Sequence, residues 1–139
     1  MPDSNNLKLL IPTAGPTPAK EKAEYIIKLV KRLRAKALIL HIVKDVADTE
    51  KCDQGKVALK IFEEAGNKFN VEVNTFLRDG ERLDTISKFA EDYDVDLIIM
   101  GASEEGKMIA DWIVSDLRYK TDLPVVIEPH GFGTITYEM

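Results

Sequence analysis

The chain has 139 residues and a single cysteine, the length of one domain with no disulfide framework and no cysteine-pair metal site. Its net charge of −5 and pI near 5.1 arise from charges of both signs interspersed along the sequence, so no basic stripe exists to neutralise phosphates and nucleic acid is excluded as a main partner. The longest apolar runs fall far short of a membrane span, and Met1–Asn6 has no basic segment leading into an apolar core, so the chain reads as a cytoplasmic protein that makes no use of the membrane.

Short apolar runs alternate with helical patterns. Leu7 to Ile11 predicts a first strand, followed by the breaker-rich turn Pro12-Thr13-Ala14-Gly15-Pro16-Thr17-Pro18. Thr17 suits a helix cap with Pro18 in the first helical position, where its missing N–H costs nothing. Ala23, Ile26, Ile27, Val30 and Leu33 then recur at helical spacing and give one buried face. Ala37 to Val43 is continuous and β-branched, as expected of a strand covered on both sides. Lys44 to Gln54 reads as a polar loop, and Val57, Ala58, Ile61, Phe62, Ala65 and Phe69 mark a second helix. Val71 to Leu77 alternates as a third strand. Arg78-Asp79-Gly80 turns the chain into a third helix with Leu83, Ile86, Phe89, Ala90 and Tyr93 inward.

Asp96 to Met100 predicts a fourth strand. Met108, Ile109, Trp112, Ile113 and Leu117 share one face of a fourth helix, and Leu123 to Ile127 forms a fifth strand with Pro124 at its start, where proline is tolerated. Gly133 to Glu138 alternates with a period of two and suits a sixth, edge strand. This βαβα alternation implies right-handed crossovers: an α/β fold with one doubly wound, open parallel sheet and two helices on each face. The chain reads as one domain over residues 1–139, with a core at 7–129 and a tail at 130–139.

The segment from Leu97 to Lys107 locates a site. An apolar strand ends at Gly101, crosses a polar turn and enters an amphipathic helix, which is how a buried parallel strand delivers backbone to a ligand crevice. The same turn carries Glu104 and Glu105 where a phosphate loop would use glycines.

Glu24-Tyr25-Ile26, Leu29 to Leu33 and Ala35 to Val43 resemble the first helix and second strand of universal stress proteins. Asp96 to Gly101 resembles their fourth strand and Leu123 to Ile127 their fifth, and the resemblance covers nearly the whole chain to Pro129. It implies the adenine nucleotide alpha hydrolase-like fold with five parallel strands in the order 3-2-1-4-5. The ends of strands one and four then flank a topological switch point. Many members hold ATP there, while others lack nucleotide and act as dimeric, stress-linked modules. The expected crevice lies between Thr13–Thr17 and Gly101–Lys107, with the backbone of Val43 on its floor.

Binding members carry an aspartate at the end of strand one; that position falls at or beside Ala14, and Thr13 and Gly15 do not replace a carboxylate. The family's loop after strand four reads glycine, two residues, glycine, nine residues, glycine, then serine or threonine. Met100 and Gly101 match its opening, but the second glycine falls at Glu104 and the third at Val114, which is followed by a matching Ser115. Pro124 then follows too closely for a loop of full length, and Gly106 supplies part of the lost flexibility. The positions this resemblance assigns to a cofactor are therefore Thr13, Ala14, Gly15, Val43, Met100, Gly101, Ser103, Gly106 and Ser115.

Glycines in such a loop let N–H groups curl around phosphate oxygens beside a helix N-terminus. Glu104 and Glu105 satisfy that helix dipole themselves. At an effective dielectric near 20, like charges about 5 Å apart repel by roughly 3 kcal/mol. A lost charged hydrogen bond costs roughly another 1.5–3 kcal/mol, so ATP affinity falls on the order of a thousandfold. Lys107 and Lys20 offset part of this.

Other residues have ordinary readings. His41 is a core or sheet-face histidine, since no metal-ligand spacing accompanies it. Cys52 is an inert loop thiol, Trp112 belongs to a core stripe, and His130 is solvated. Ser103 reads as a helix cap because no histidine is placed to activate it. Glu104 and Glu105 read as charge complements rather than an acid/base pair, and Asp45, Asp79 and Glu104 fall near strand C-termini, where each reads by default as a solvated loop acid and could line the crevice mouth. No catalytic or metal site is assigned.

The expected function is a small cytoplasmic regulatory module of the stress response with weak or no ATP binding. It would form a homodimer through strand 125–127 and the C-terminal tail, the tail crossing to the mate, and would act on an unidentified regulatory protein. The competing readings are an ATP- or AMP-binding member with a rebuilt loop and a small hydrolase using the crevice acids. A receiver domain is disfavoured because Thr13-Ala14 and Glu128-Pro129 stand where it needs acids and a lysine, and a flavodoxin because the first loop has prolines and an alanine rather than a hydroxyl-rich phosphate cradle.

Overall fold

The computed structural model describes residues 7–13, 15–102, 125–129 and 135–137. In chain order the elements are β1 (Lys8–Thr13), α1 (Pro16–Arg32), β2 (Lys36–Val43), α2 (Thr49–Phe69), β3 (Val73–Asp79), α3 (Arg82–Asp92), β4 (Leu97–Ala102), β5 (Val125–Pro129) and β6 (Ile135–Tyr137). The fourth helix expected around Trp112 lies outside the described residues, as do Ala14, Ser103 to Pro124 and the remainder of the tail.

The six strands form one sheet in the order β3-β2-β1-β4-β5-β6. All neighbours among the first five are parallel, as the alternation of patterns predicts. β6 runs antiparallel on β5, with Val126 opposite Thr136. The tail strand therefore lies on the edge of its own chain's β5.

Side-chain alternation along the strands builds two cores. Leu9 and Ile11 of β1 and Ala37 and Ile39 of β2 face α1 and α2, where Ile26, Ile27, Val30, Leu59 and Phe62 close over them. Leu10, Leu38, Leu40 and Ile98 face the other way, onto Ile86, Phe89 and Ala90 of α3. Each fully buried aliphatic side chain contributes roughly 1.5–3 kcal/mol, which explains why the central strands read so clearly as apolar runs. Phe76, Phe89 and Tyr93 add an aromatic cluster with ring centroids 4.2–5.1 Å apart.

Most strand bounds shift by one or two residues from the sequence expectation, and three boundaries differ for a local reason. The cap of α1 is Gly15, with Pro16 in the first turn and no side-chain capping bond, so Thr17 is already inside the helix. Gly15 has φ 144°, open only to glycine without strain; it bends the chain there so that the helix starts two residues earlier. α2 starts at Thr49, inside the predicted loop, because the Asp48 carboxylate accepts the Lys51 N–H at 3.1 Å and caps it. Cys52 is consequently a buried helix residue whose Sγ meets the Val46 carbonyl at 3.5 Å, not a loop thiol. β3 runs on through Asp79, paired with Val43, before Gly80 turns the chain; as the outer strand it has exposed positions that blur its alternation.

Candidate functional site

A cleft of about 480 Å³ opens at the C-terminal ends of β1 and β2, within the range of small-ligand sites. Pro12 and Thr13 form one wall with Gly15 and Pro16 of the α1 entry. Leu40 to Val43 form the floor. Lys44 and Asp45, then Asp48, Lys51 and Gln54 at the start of α2, form the opposite wall, and Arg82 at the start of α3 completes it. Parallel strands with right-handed crossovers bring these helix starts to the same edge of the sheet, from both of its faces.

His41 lies at the centre of the floor and is 8% exposed. Its Nδ1 lies 3.1 Å from the Thr13 carbonyl oxygen. A carbonyl only accepts, so Nδ1 carries a proton and donates, and in the neutral ring Nε2 keeps a free lone pair. Burial is the main cause that holds the imidazole below its ordinary pKa of 6.5; the Arg82 charge acts in the same direction and the Thr13 bond opposes both. The ring is therefore neutral at pH 7. It also sets the approach of α2: a Cβ on Gly55 would fall within the ring's van der Waals surface, 2.8 Å from Nε2.

The helix starts around the cleft are largely satisfied from within. Asp48 takes the Lys51 N–H of α2. Glu81 takes the Leu83 N–H at 3.1 Å and the Asp84 N–H at 2.7 Å of α3. The first turn of α1 contains Pro16 and Pro18, which have no N–H to offer. Asp45 is likewise engaged, accepting the Ala47 N–H at 2.9 Å. Lys44, Lys51 and Arg82, by contrast, line the cleft with no carboxylate of the described residues at ion-pair distance.

Of the positions assigned from sequence, Thr13, Gly15 and Val43 come together on this cleft. The Val43 carbonyl already accepts the Gly80 N–H at 2.9 Å, leaving one lone pair. Met100 and Gly101 lie at the C-terminal end of β4, the strand beside β1. Ala14, Ser103, Gly106 and Ser115 lie outside the described residues. Asp45 is among the lining residues and Asp79 is not, whereas His41, Asp48, Lys51, Gln54 and Arg82 are additional lining residues. The signal available for three of them was the start of α2: once Asp48 caps it, Lys51 and Gln54 fall on the first two turns. Arg82 had no sequence signal beyond its place after a strand. Among the described residues no group of three or more His, Cys, Asp or Glu side chains is placed to hold a metal, and no helix is long and apolar enough to cross a membrane.

Comparison with known proteins agrees with this architecture. A universal stress protein of Helicobacter pylori is 34% identical over 87 residues, 60% of this chain and 62% of its own length. The chain thus matches somewhat under two thirds of that relative. A universal stress protein family structure from Burkholderia pseudomallei superposes with a TM-score of 0.71 at 15% identity, covering 91% of this chain and 98% of that one. A universal stress protein of Archaeoglobus fulgidus, solved in complex with dAMP, superposes with a TM-score of 0.65 at 15% identity over 88% of this chain and 98% of its own. The strand order is that of the fold the family resemblance implies, and residues 5–115 match the model of the universal stress protein family: the chain belongs to that family.

Proposed function

We propose that this universal stress protein is a small cytoplasmic regulatory module whose cleft takes an adenine nucleotide weakly. The observation that carries this reading is the cleft of about 480 Å³ at the ends of β1 and β2. It is large enough for a nucleoside and lies on the fold that holds dAMP in the Archaeoglobus fulgidus protein. The weakness follows from the sequence. Ala14 stands where binding members place a carboxylate, and Glu104 stands where they place a glycine. Binding is favoured over hydrolysis because Asp45 and Asp48, the described cleft acids, are both engaged with backbone N–H groups.

Calorimetry with ATP and AMP tests the reading. The expected dissociation constant for ATP is roughly 100 µM or weaker, and the double substitution Ala14→Asp, Glu104→Gly is expected to tighten it at least tenfold. A low-micromolar constant for the unmodified chain would instead favour a fully competent nucleotide binder. The protein is also proposed to act as a homodimer through the β5–β6 edge, engaging an unidentified regulatory protein.

A further inference from the structure

We propose that the cleft holds a phosphate-bearing ligand by its anionic group against Lys51 and Arg82, on the side built from β2, α2 and α3, with Lys44 adding charge. The proposal rests on the reading of the cleft as a nucleotide site for the identity of the whole ligand, but its anion-binding part stands alone. It assigns the anionic group to side chains and not to a described helix start; removing the Glu104 charge from the loop after β4 would lower repulsion without supplying the group's partners.

Three observations lead there. First, the usual backbone sources of positive potential at this edge are already spent. α2 is capped by Asp48 and α3 by Glu81, and Pro16 and Pro18 leave the first turn of α1 short of N–H donors. An anion entering the cleft therefore finds few free amides among the described helix starts. Second, Lys44, Lys51 and Arg82 all line the same cavity without a described carboxylate at ion-pair distance. The two acids among the described lining residues are oriented onto backbone N–H groups. Three cations against two acids leave the described lining with one net positive charge, and the acids' hydrogen bonds keep them from pairing with the cations. Third, His41 adds no positive charge to the floor, since its buried ring is neutral at pH 7 and Nδ1 is committed to Thr13, so the counter-charge for an anion falls to the three cations. A guanidinium and an ammonium around one cavity suit a phosphate, which the guanidinium can take through two parallel N–H bonds.

The test is calorimetry on the full chain with inorganic pyrophosphate, AMP and adenosine, repeated on Arg82→Gln, Lys51→Gln and the double variant. Both side chains are exposed, so the substitutions leave the cores untouched. Lys60→Gln, exposed on the same helix but not among the cleft residues, controls for general loss of charge. The double variant is expected to weaken pyrophosphate and AMP by tenfold or more, while adenosine changes by less than about twofold and Lys60→Gln leaves all three ligands as they were. Pyrophosphate and AMP affinities that survive the double variant, or fall as far with Lys60→Gln, would overturn the proposal. Adenosine binding as tightly as AMP, with no pyrophosphate binding, would remove the anion site and leave the nucleoside reading intact. Pyrophosphate binding that depends on Arg82 and Lys51, with neither adenosine nor AMP bound better, would sustain the anion site and remove the adenine nucleotide reading.

Discussion

His41 connects three parts of the molecule through one ring: the carbonyl at the end of β1, the close approach of α2 at Gly55, and the floor of the cleft. Its pKa lies below that of a free imidazole, so folding favours the neutral form. The sign of the pH dependence follows. The stabilisation is fully present above the unfolded value of about 6.5 and is lost as pH falls from there through the lower folded value, because the unfolded chain then binds the proton more readily. Urea unfolding between pH 7.5 and 5 is expected to show this decline, and His41→Asn, which keeps a donor for Thr13 but does not titrate, is expected to flatten it. Equal slopes for the two proteins would show that other groups carry the dependence. The role of this residue was only partly legible in the sequence. Its position in an apolar run marked it as a sheet-face histidine, which it is, but neither the Thr13 carbonyl nor Gly55 is near it in sequence. The cations were harder still. Lys51 and Arg82 are ordinary exposed lysine and arginine by pattern, and the turn of β3 into α3 is what brings Arg82 to the cleft.

At the scale of elements, the strands were readable where both faces are buried and less so where one is not. Leu9 to Ile11 and Ala37 to Leu40 are buried without interruption, so burial wrote their runs directly into the sequence. β3 is the outer strand, and its exposed Arg78 and Asp79 resembled a turn although both pair with β2. The start of α2 was hidden for a similar reason. Thr49 to Gln54 buries only Cys52, so no apolar period announces the first turns. The joint between α2 and β2 gives a direct prediction. Gly55→Ala places a methyl group against the His41 ring. Overpacking of this kind costs about 1–3 kcal/mol, and moving the ring also gives up its bond to Thr13, about 1 kcal/mol. The helix propensity gained, about 1 kcal/mol, offsets part of that. A net loss of about 1–3 kcal/mol is expected in chemical denaturation. Combining Gly55→Ala with His41→Ala is expected to cost less than the sum of the two; an additive pair would mean that the helix approaches the sheet on other contacts.

The whole molecule is a sheet whose centre is β1, joined on one side to β2 and on the other to β4. The first residues of the fold are thus tied to its second half, as in the bond from the Lys8 N–H to the Asp96 carboxylate at 2.9 Å, 88 positions apart. At the far edge, β6 lies on β5 in the same chain, which covers an edge of valine and isoleucine that would otherwise invite pairing. The proposed dimer then forms where β6 is outermost. Light scattering is expected to give twice the monomer mass at high micromolar concentration, and a chain truncated after Glu128 is expected to lose the dimer. A full-length protein that stays monomeric would refute the association, and a truncated one that dimerises equally well would leave β6 without a role in it.

The opposite edge determines what kind of assembly this can be. β3 is the outer strand on that side, and Asn74, Arg78 and Asp79 are exposed along it. Arg78 is held in place over the Phe76 and Phe89 rings, with its guanidinium donating to the Tyr93 hydroxyl at 3.2 Å. A foreign strand pairing there would have to strip water from a guanidinium and a carboxylate with no partner of its own to offer them, which makes charged edges poor templates for sheet extension. The sheet is therefore polarised, with one end proposed to meet a copy of itself and the other unsuited to strand addition. A ribbon needs two adhesive ends, whereas a surface with only one can satisfy it solely by facing its own image across a two-fold axis. Arg78 and Asp79, far from the edge proposed to join the subunits, would thus limit the proposed assembly to a closed pair instead of a fibre.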